Sequence, residues 1–298
     1  SQSLTFNPFF IFKNPSKRYI LGPILGPHIN VELFKPDGSP LDPISNLIVK
    51  IVPYLFRPLS ALTINNADMV IFNDNYALSC YKSYLRGHQL VKIIGTGVDF
   101  EIFDKDRKYT PDRKNDLNVL FVGRLTERKG CQFLIEAIYQ VVKNNPQLKI
   151  ICKIIGFGPQ EEELRNLAKS LQISKNIKFV GKVANNQLRE NYNKADVVCI
   201  PAISDTWTSA KEALCCGKPV IITNIASHPE IVQDGVNGYL VPIMDSKSIA
   251  AKLSLLATNK KLINQLSKNA HRLARKKYDW QKIVNSYLQA LEELNENH

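Results

Sequence analysis

Residues 118–155 read NVLFVGRLTERKGCQFLIEAIYQVVKNNPQLKIICKII, and this stretch decides the fold. An apolar run at 118–122 ends in Gly123. A helix-period stretch follows at about 129–144, and a second apolar run occupies 148–155. Strand, helix, strand with short polar joints is one βαβ unit, and such units build parallel sheets. The pattern continues downstream, with apolar runs at 177–180, 197–200, 219–222 and 239–241. Helical periods lie between them at about 160–171, 186–194, 209–216 and 227–233. The strands are short and nearly all apolar, as in sheets covered by helices on both faces. The reading is an α/β, Rossmann-like domain over residues 113–277.

Upstream, residues 1–112 are Pro-rich and less periodic. Tyr19-Ile20-Leu21 reads as a short strand ending at Gly22-Pro23, and Ala67 to Asn73 and Leu90 to Ile94 as two more. The apolar segment 44–64 is punctuated by Lys50, Pro53, Arg57 and Pro58. It reads as two short helical pieces, either a buried pair or a surface that meets a membrane. Residues 104–116 are charged and polar and form the candidate linker. At the other end, Asn259 to Lys277 is a basic helix. Asp279-Trp280 then opens a helix to about Leu294, with a stripe at Trp280, Ile283, Val284, Tyr287, Leu288, Leu291 and Leu294. That stripe needs a surface to pack on. Chain length fits two domains.

The formal charge of +12 is uneven: 12 Lys/Arg stand against 10 Asp/Glu up to residue 112, and 27 against 17 beyond it. Such a field suits phosphorylated ligands or an anionic membrane surface, or is simply a solvated basic surface. Nucleic acid is disfavoured, because the aromatic-basic motifs of RNA modules are missing. The six cysteines form no CxxC and mostly sit in apolar runs, so they read as buried small hydrophobes rather than disulfides or metal ligands. No metal site is expected. With neither a signal pattern nor an apolar run of about 18 residues, a cytoplasmic protein is the simplest expectation.

In open parallel sheets ligands bind beyond the carboxyl ends of the strands. After the first run comes Gly123-Arg124-Leu125-Thr126-Glu127-Arg128-Lys129-Gly130. Arg124 and Lys129 flank a helix entry there and suit a diphosphate, unless the turn is an ordinary polar one. After the second, Gly156-Phe157-Gly158-Pro159 leads into Glu161, Glu162 and Glu163, which would repel phosphate; this reads as a structural turn. After the fourth, Ser204-Asp205-Thr206-Trp207-Thr208-Ser209 opens a helix whose free N–H groups could hold an anion, with the hydroxyls as caps. Asp205 and Glu212 could equally be acids that favour the helix dipole.

In this order, VGRLTERKG, GFGP, FVGKV, ADVVCIP, KEALCCGKPVI and PEIVQDGVNGYLV closely resemble the donor-binding domain of family-4 retaining glycosyltransferases, of GT-B architecture. The resemblance is strong over roughly 117–257 and extends to ADMVIFND and GTGVDFEIF. It implies two Rossmann-like domains, the first incomplete: 1–112 on the acceptor side, 113–277 binding the nucleotide-sugar, and 278–298 a helix crossing back. The glycine-rich opening of the family's first domain is not found, so the chain reads as a fragment.

The resemblance assigns Arg124 and Lys129 to the donor diphosphate and catalysis, beside Gly123. It places Glu212 on the ribose, Val183 beside the base, Asp205, Thr206 and Trp207 near the transferred sugar, and the Thr208–Ser209 helix start under the phosphates. The substrate would be a UDP- or GDP-sugar, with no cofactor and no metal. A hexose-type sugar would pass with retention to a saccharide or lipid-linked acceptor, in surface polysaccharide or glycolipid synthesis, and any membrane contact would be peripheral and on the inner face. The family usually places seven residues between its paired acids; Asp205 and Glu212 enclose six, and Ser204 stands at the usual position. A binding protein without turnover is the alternative expectation.

Overall fold

The computed structural model describes residues 18–25, 61–104, 116–204 and 207–296. It divides into two compact units, one running from Val98 to Lys277. The other holds the described residues up to Gly97 together with those from Tyr278 onward. Most of the apolar segment 44–64 and most of the linker candidate 104–116 lie outside the described residues.

The smaller unit contains a three-stranded parallel sheet, β1 (Ile20–Ile24), β2 (Met69–Phe72) and β3 (Leu90–Ile93), with β2 in the centre. Strand side chains alternate between faces, so Val70 and Phe72 pack with Ile24, Ile64 and Ala77 on one side. The short helix α1 (Asn75–Tyr81), capped by Asp74, supplies Ala77. β1 runs through Gly22-Pro23, where the sequence suggested that the strand stops. The reason is local: Gly22 has φ +142° and a Cβ there would lie 2.4 Å from the Ile71 carbonyl oxygen, so glycine lets the strand approach β2.

On the other face of this sheet, Met69 and Ile71 pack with Ile94 and with the C-terminal helix, Trp280–Glu296. That helix buries Ile283, Ala290 and Leu294, with Tyr287 half-covered, and Lys92 bonds Glu293. Its apolar stripe is wider than this face. Trp280, Leu288 and Leu291 stay 50%, 52% and 39% exposed, because they sit to one side of the 283–287–290–294 line.

The larger unit is a six-stranded parallel sheet in the order β6-β5-β4-β7-β8-β9. Its strands are β4 (Asp116–Val122), β5 (Lys149–Ile155), β6 (Ile177–Gly181), β7 (Val197–Ile200), β8 (Val220–Thr223) and β9 (Gly238–Val241). All pairings are parallel. The helices are α2 (Phe100–Phe103), α3 (Cys131–Asn144), α4 (Glu161–Ser170), α5 (Asn185–Lys194), α6 (Thr208–Cys215), α7 (His228–Ile231), α8 (Ser246–Thr258) and α9 (Lys260–Lys277); the helix Trp280–Glu296 is α10.

Val119 and Phe121 of β4 and Ile150, Cys152 and Ile154 of β5 form one core with Leu134 and Ile138 of α3, Leu164 of α4 and Leu253 of α8. The strands of the expected α/β fold are therefore where the apolar runs put them. Cys131, Cys152, Cys199, Cys215 and Cys216 are buried and unbridged, and Cys80 is half-buried. Burial pushes the Cys216 thiol up to about 12, so it behaves as a small hydrophobe and donates to the Phe103 carbonyl. No helix among the described residues is long and apolar enough to cross a membrane.

Candidate functional site

Chain order and sheet order together locate the site. From β4 the chain winds outward through β5 to β6, then returns past β4 to β7, β8 and β9. The direction of winding reverses between β4 and β7, and at such a switch the loops part to leave a crevice at the carboxyl ends of the strands. The residues proposed for the donor leave β4, β6 and β7 at that end.

Three loops are tied to one another there by backbone hydrogen bonds. Gly123 N–H donates to Ile155 O at 3.0 Å and Leu125 N–H to Phe157 O at 2.9 Å, joining the loops after β4 and β5. Gly156 N–H donates to Gly181 O at 2.9 Å, bringing in the end of β6. Ile203 N–H donates to Arg128 O at 2.9 Å, joining the loops after β4 and β7. Glycines permit the close approaches: a Cβ on Gly130 (φ +67°) would stand 1.9 Å from Pro201 O, and one on Gly156 (φ +140°) 1.8 Å from Gly123 O. The Gly156–Gly158 turn is thus scaffold. Glu161, Glu162 and Glu163 occupy the first turn of α4, where they complement its dipole.

On this frame Arg124 is exposed, while Arg128 and Lys129 are half-buried. Burial, then the charge of Arg124, holds the Arg128 guanidinium below its ordinary value. Cations that raise one another's energy gain most from an anionic ligand. Nothing in the sequence singles out Arg128, since Arg124 and Lys129 already satisfy the motif. Glu127 is pushed up, by burial first and by Glu163 second.

The loop after β7 is clamped from β8. Buried Thr223 donates from Oγ1 to Ala202 O at 2.6 Å, and buried His228 donates from Nδ1 to Thr223 O at 2.7 Å. Ser204 Oγ and Thr126 Oγ1 are buried without a hydrogen-bond partner among the described residues. Asp205 and Thr206 lie outside the described residues.

α6 begins at Thr208, as the motif suggested, but its hydroxyls do not cap it. Half-buried Trp207 occupies the N-cap position, where its side chain makes no capping hydrogen bond, and Thr208 is exposed. The first turn carries no acid. Glu212 lies one turn further along, so it is not a first-turn acid complementing the dipole. Its carboxylate instead accepts a 2.9 Å hydrogen bond from the hydroxyl of Tyr192, a fully buried residue of α5. Burial raises the Glu212 pKa, and the Tyr192 bond works against that rise. Tyr192 gave no signal in the sequence, since its partner is twenty residues away on another helix. Half-buried Val183 sits in the joint between β6 and α5. Among the described residues no group of three or more His, Cys, Asp or Glu side chains could hold a metal ion.

A family model described as glycosyl transferases group 1 matches residues 102–273, the unit that carries these loops. The chain belongs to that family. It is 28% identical over 246 residues to D-inositol 3-phosphate glycosyltransferase of Corynebacterium jeikeium, covering 78% of this chain and 58% of the relative. It is 32% identical over 165 residues to a putative colanic acid biosynthesis glycosyltransferase of Salmonella typhimurium, covering 53% of this chain and 40% of that one. The chain spans little more than half the length of such relatives, 55% and 62% for two glycosyltransferases of Methanocaldococcus jannaschii. Among solved structures, Anabaena HepE in complex with UDP superposes with a TM-score of 0.69 at 22% identity, over 84% of this chain and 74% of that chain. That likeness shows a shared fold, and this group 1 chain therefore has the α/β architecture of solved glycosyltransferases.

Proposed function

We propose that this chain carries the donor half of a retaining glycosyltransferase, binding a UDP- or GDP-sugar and passing a hexose-type residue to a saccharide or lipid-linked acceptor. The observation that supports this most is the meeting of three features at one switch point. A basic loop after β4 holds Arg124, Arg128 and Lys129, a helix start follows Trp207, and a half-buried carboxylate stands at Glu212. Two phosphates suit the cations and the N–H groups at the start of α6. A ribose hydroxyl suits Glu212, with Val183 beside the base and Gly123 leaving room under the phosphates.

In this reading the acceptor oxygen attacks the anomeric carbon on the face the leaving group departs from. The bond to the diphosphate breaks, and the departing phosphate oxygen takes the acceptor's proton. Arg124 and Lys129 offset the charge that develops on the leaving group, so neither a protein nucleophile nor a metal is required. Asp205 to Trp207 would approach the sugar. Synthesis of a surface polysaccharide or glycolipid is the role most in keeping with the relatives' names.

The test is transfer of labelled sugar from UDP- and GDP-sugars by the complete protein. Retention at the anomeric carbon supports the proposal, and inversion contradicts it. Donor binding without transfer or donor hydrolysis would favour the second reading, a nucleotide-sugar-binding protein without turnover. The six-residue spacing between Asp205 and Glu212 favours that reading.

A further inference from the structure

α9 is the most one-sided helix of the larger unit. Its 18 residues contain seven Lys or Arg and no Asp or Glu. Its buried residues, Ile263, Leu266, Ser267, Ala270 and Ala274, define one face. Lys261, Gln265, Lys268, Arg272 and Lys276 are exposed on the opposite face, at spacings of four, three, four and four. Other basic residues of this helix are engaged elsewhere. Lys260 bonds the Asp116 carbonyl, Arg275 lies 2.5 Å from Asp104 and over the Phe100 ring, and Lys277 bonds the Glu230 carbonyl. The structure thus separates cations that hold the fold from a row of four that face outward.

From Lys261 to Lys276 the row extends about 22 Å at 1.5 Å per residue. Successive cations are about 6 to 10 Å apart along the axis, comparable with the roughly 8 Å Debye length at physiological salt. Their fields therefore overlap into a strip, which matches an extended anionic surface better than a single phosphate. The row contains no aromatic side chain, which single-stranded nucleic acid would need for base stacking. Val236, 37% exposed, borders it, because Asn269 of α9 donates to the Val236 carbonyl at 3.0 Å. A row of four cations on an amphipathic helix, bordered by Val236, is complementary to anionic lipid headgroups.

We propose that the exposed face of α9 is a membrane-docking surface for anionic phospholipid, engaged through Lys261, Lys268, Arg272 and Lys276. The inference is independent of the donor site, since none of these residues contributes to it.

The test is co-sedimentation of the full chain with phosphatidylcholine vesicles, with and without phosphatidylglycerol, at physiological salt. Wild type should bind only the anionic vesicles. K261Q/K268Q/R272Q/K276Q should lose roughly a hundredfold or more in partitioning, at about fivefold per cation. A control of equal charge loss on exposed residues away from α9, K149Q/K169Q/K175Q/K178Q, should lose far less. K261R/K268R/K276R, which keeps the charge, should bind like wild type. Equal losses in the row variant and the control would overturn the proposal, as would equal binding to vesicles lacking phosphatidylglycerol. Tighter binding to duplex DNA than to anionic vesicles at the same salt would also overturn it. UDP affinity reads the donor site separately and should be unchanged in every variant.

Discussion

The loops after β4 and β7 meet at the same crevice but are built differently. The β4 loop is fixed through its backbone: Gly123 and Leu125 donate to the β5 loop, and Gly130 lies against Pro201 where no side chain fits. The β7 loop shares the backbone bond from Ile203 to Arg128, but it and α6 are held mainly through side chains. Thr223 holds Ala202 and is held in turn by His228, Tyr192 holds Glu212, and Ser204 Oγ is buried without a partner among the described residues. A backbone frame tolerates changes of side chain and keeps cations in place. A side-chain frame sets the position and ionisation of particular polar groups. The first suits charge neutralisation, and the second suits recognition.

The largest effect should come from breaking the backbone frame. Gly130→Ala combines a left-handed backbone with a contact to Pro201 O far inside van der Waals distance, and should cost about 3 kcal/mol of stability. Urea denaturation checks this; an unchanged midpoint would mean that the β4 and β7 loops are not pressed together. Lys129→Ala leaves the frame intact and should cut transfer roughly a hundredfold or more, with unchanged denaturation. Near-wild-type transfer would remove Lys129 from the diphosphate.

Tyr192→Phe addresses the side-chain frame. Losing a hydrogen bond to a charged group should weaken UDP binding by about tenfold. The pH dependence has a definite sign. Glu212 titrates above the ordinary carboxylate range because it is buried, and the Tyr192 bond opposes that shift. In the proposed site ribose binding would use the carboxylate, so affinity should fall as pH drops through the raised pKa. Without the Tyr192 hydroxyl that fall should begin at higher pH. The same raised pKa means that ionising Glu212 costs the fold stability as pH rises from its unfolded value through the raised one. A binding profile unmoved along the pH axis would leave Tyr192 a packing residue only.

The smallest effect is expected at Ser204. Removing a buried hydroxyl without a partner among the described residues should leave stability unchanged or raise it by up to about 1 kcal/mol. A clear loss in thermal denaturation would show that the hydroxyl is bonded in the folded protein.

The larger sheet was legible in the sequence because short apolar runs, as at 118–122 and 197–200, alternate with helix-period stretches, the mark of parallel strands buried on both faces. β1 was less legible, since Gly22-Pro23 is also a turn signal; the close approach of Ile71 explains why glycine sits within the strand. Arg124, Lys129 and Glu212 could be singled out because motif order carries their spacing. Tyr192 and Arg128 could not, because their roles depend on a contact across helices and on mutual repulsion, neither of which leaves a periodic trace. The hydroxyls of Thr208 and Ser209 were read as caps from residue type alone, whereas the chain sets Trp207 at the N-cap position.

The most direct test of the central claim is calorimetric titration of UDP, GDP and the corresponding monophosphates into the wild-type chain and Lys129→Ala. The account predicts that one diphosphate binds at least tenfold more tightly than its monophosphate. It also predicts that Lys129→Ala loses roughly a hundredfold in diphosphate affinity, about 2.7 kcal/mol, and little for the monophosphate. Equal affinity for both nucleotides, or a variant that binds the diphosphate as wild type does, would contradict it.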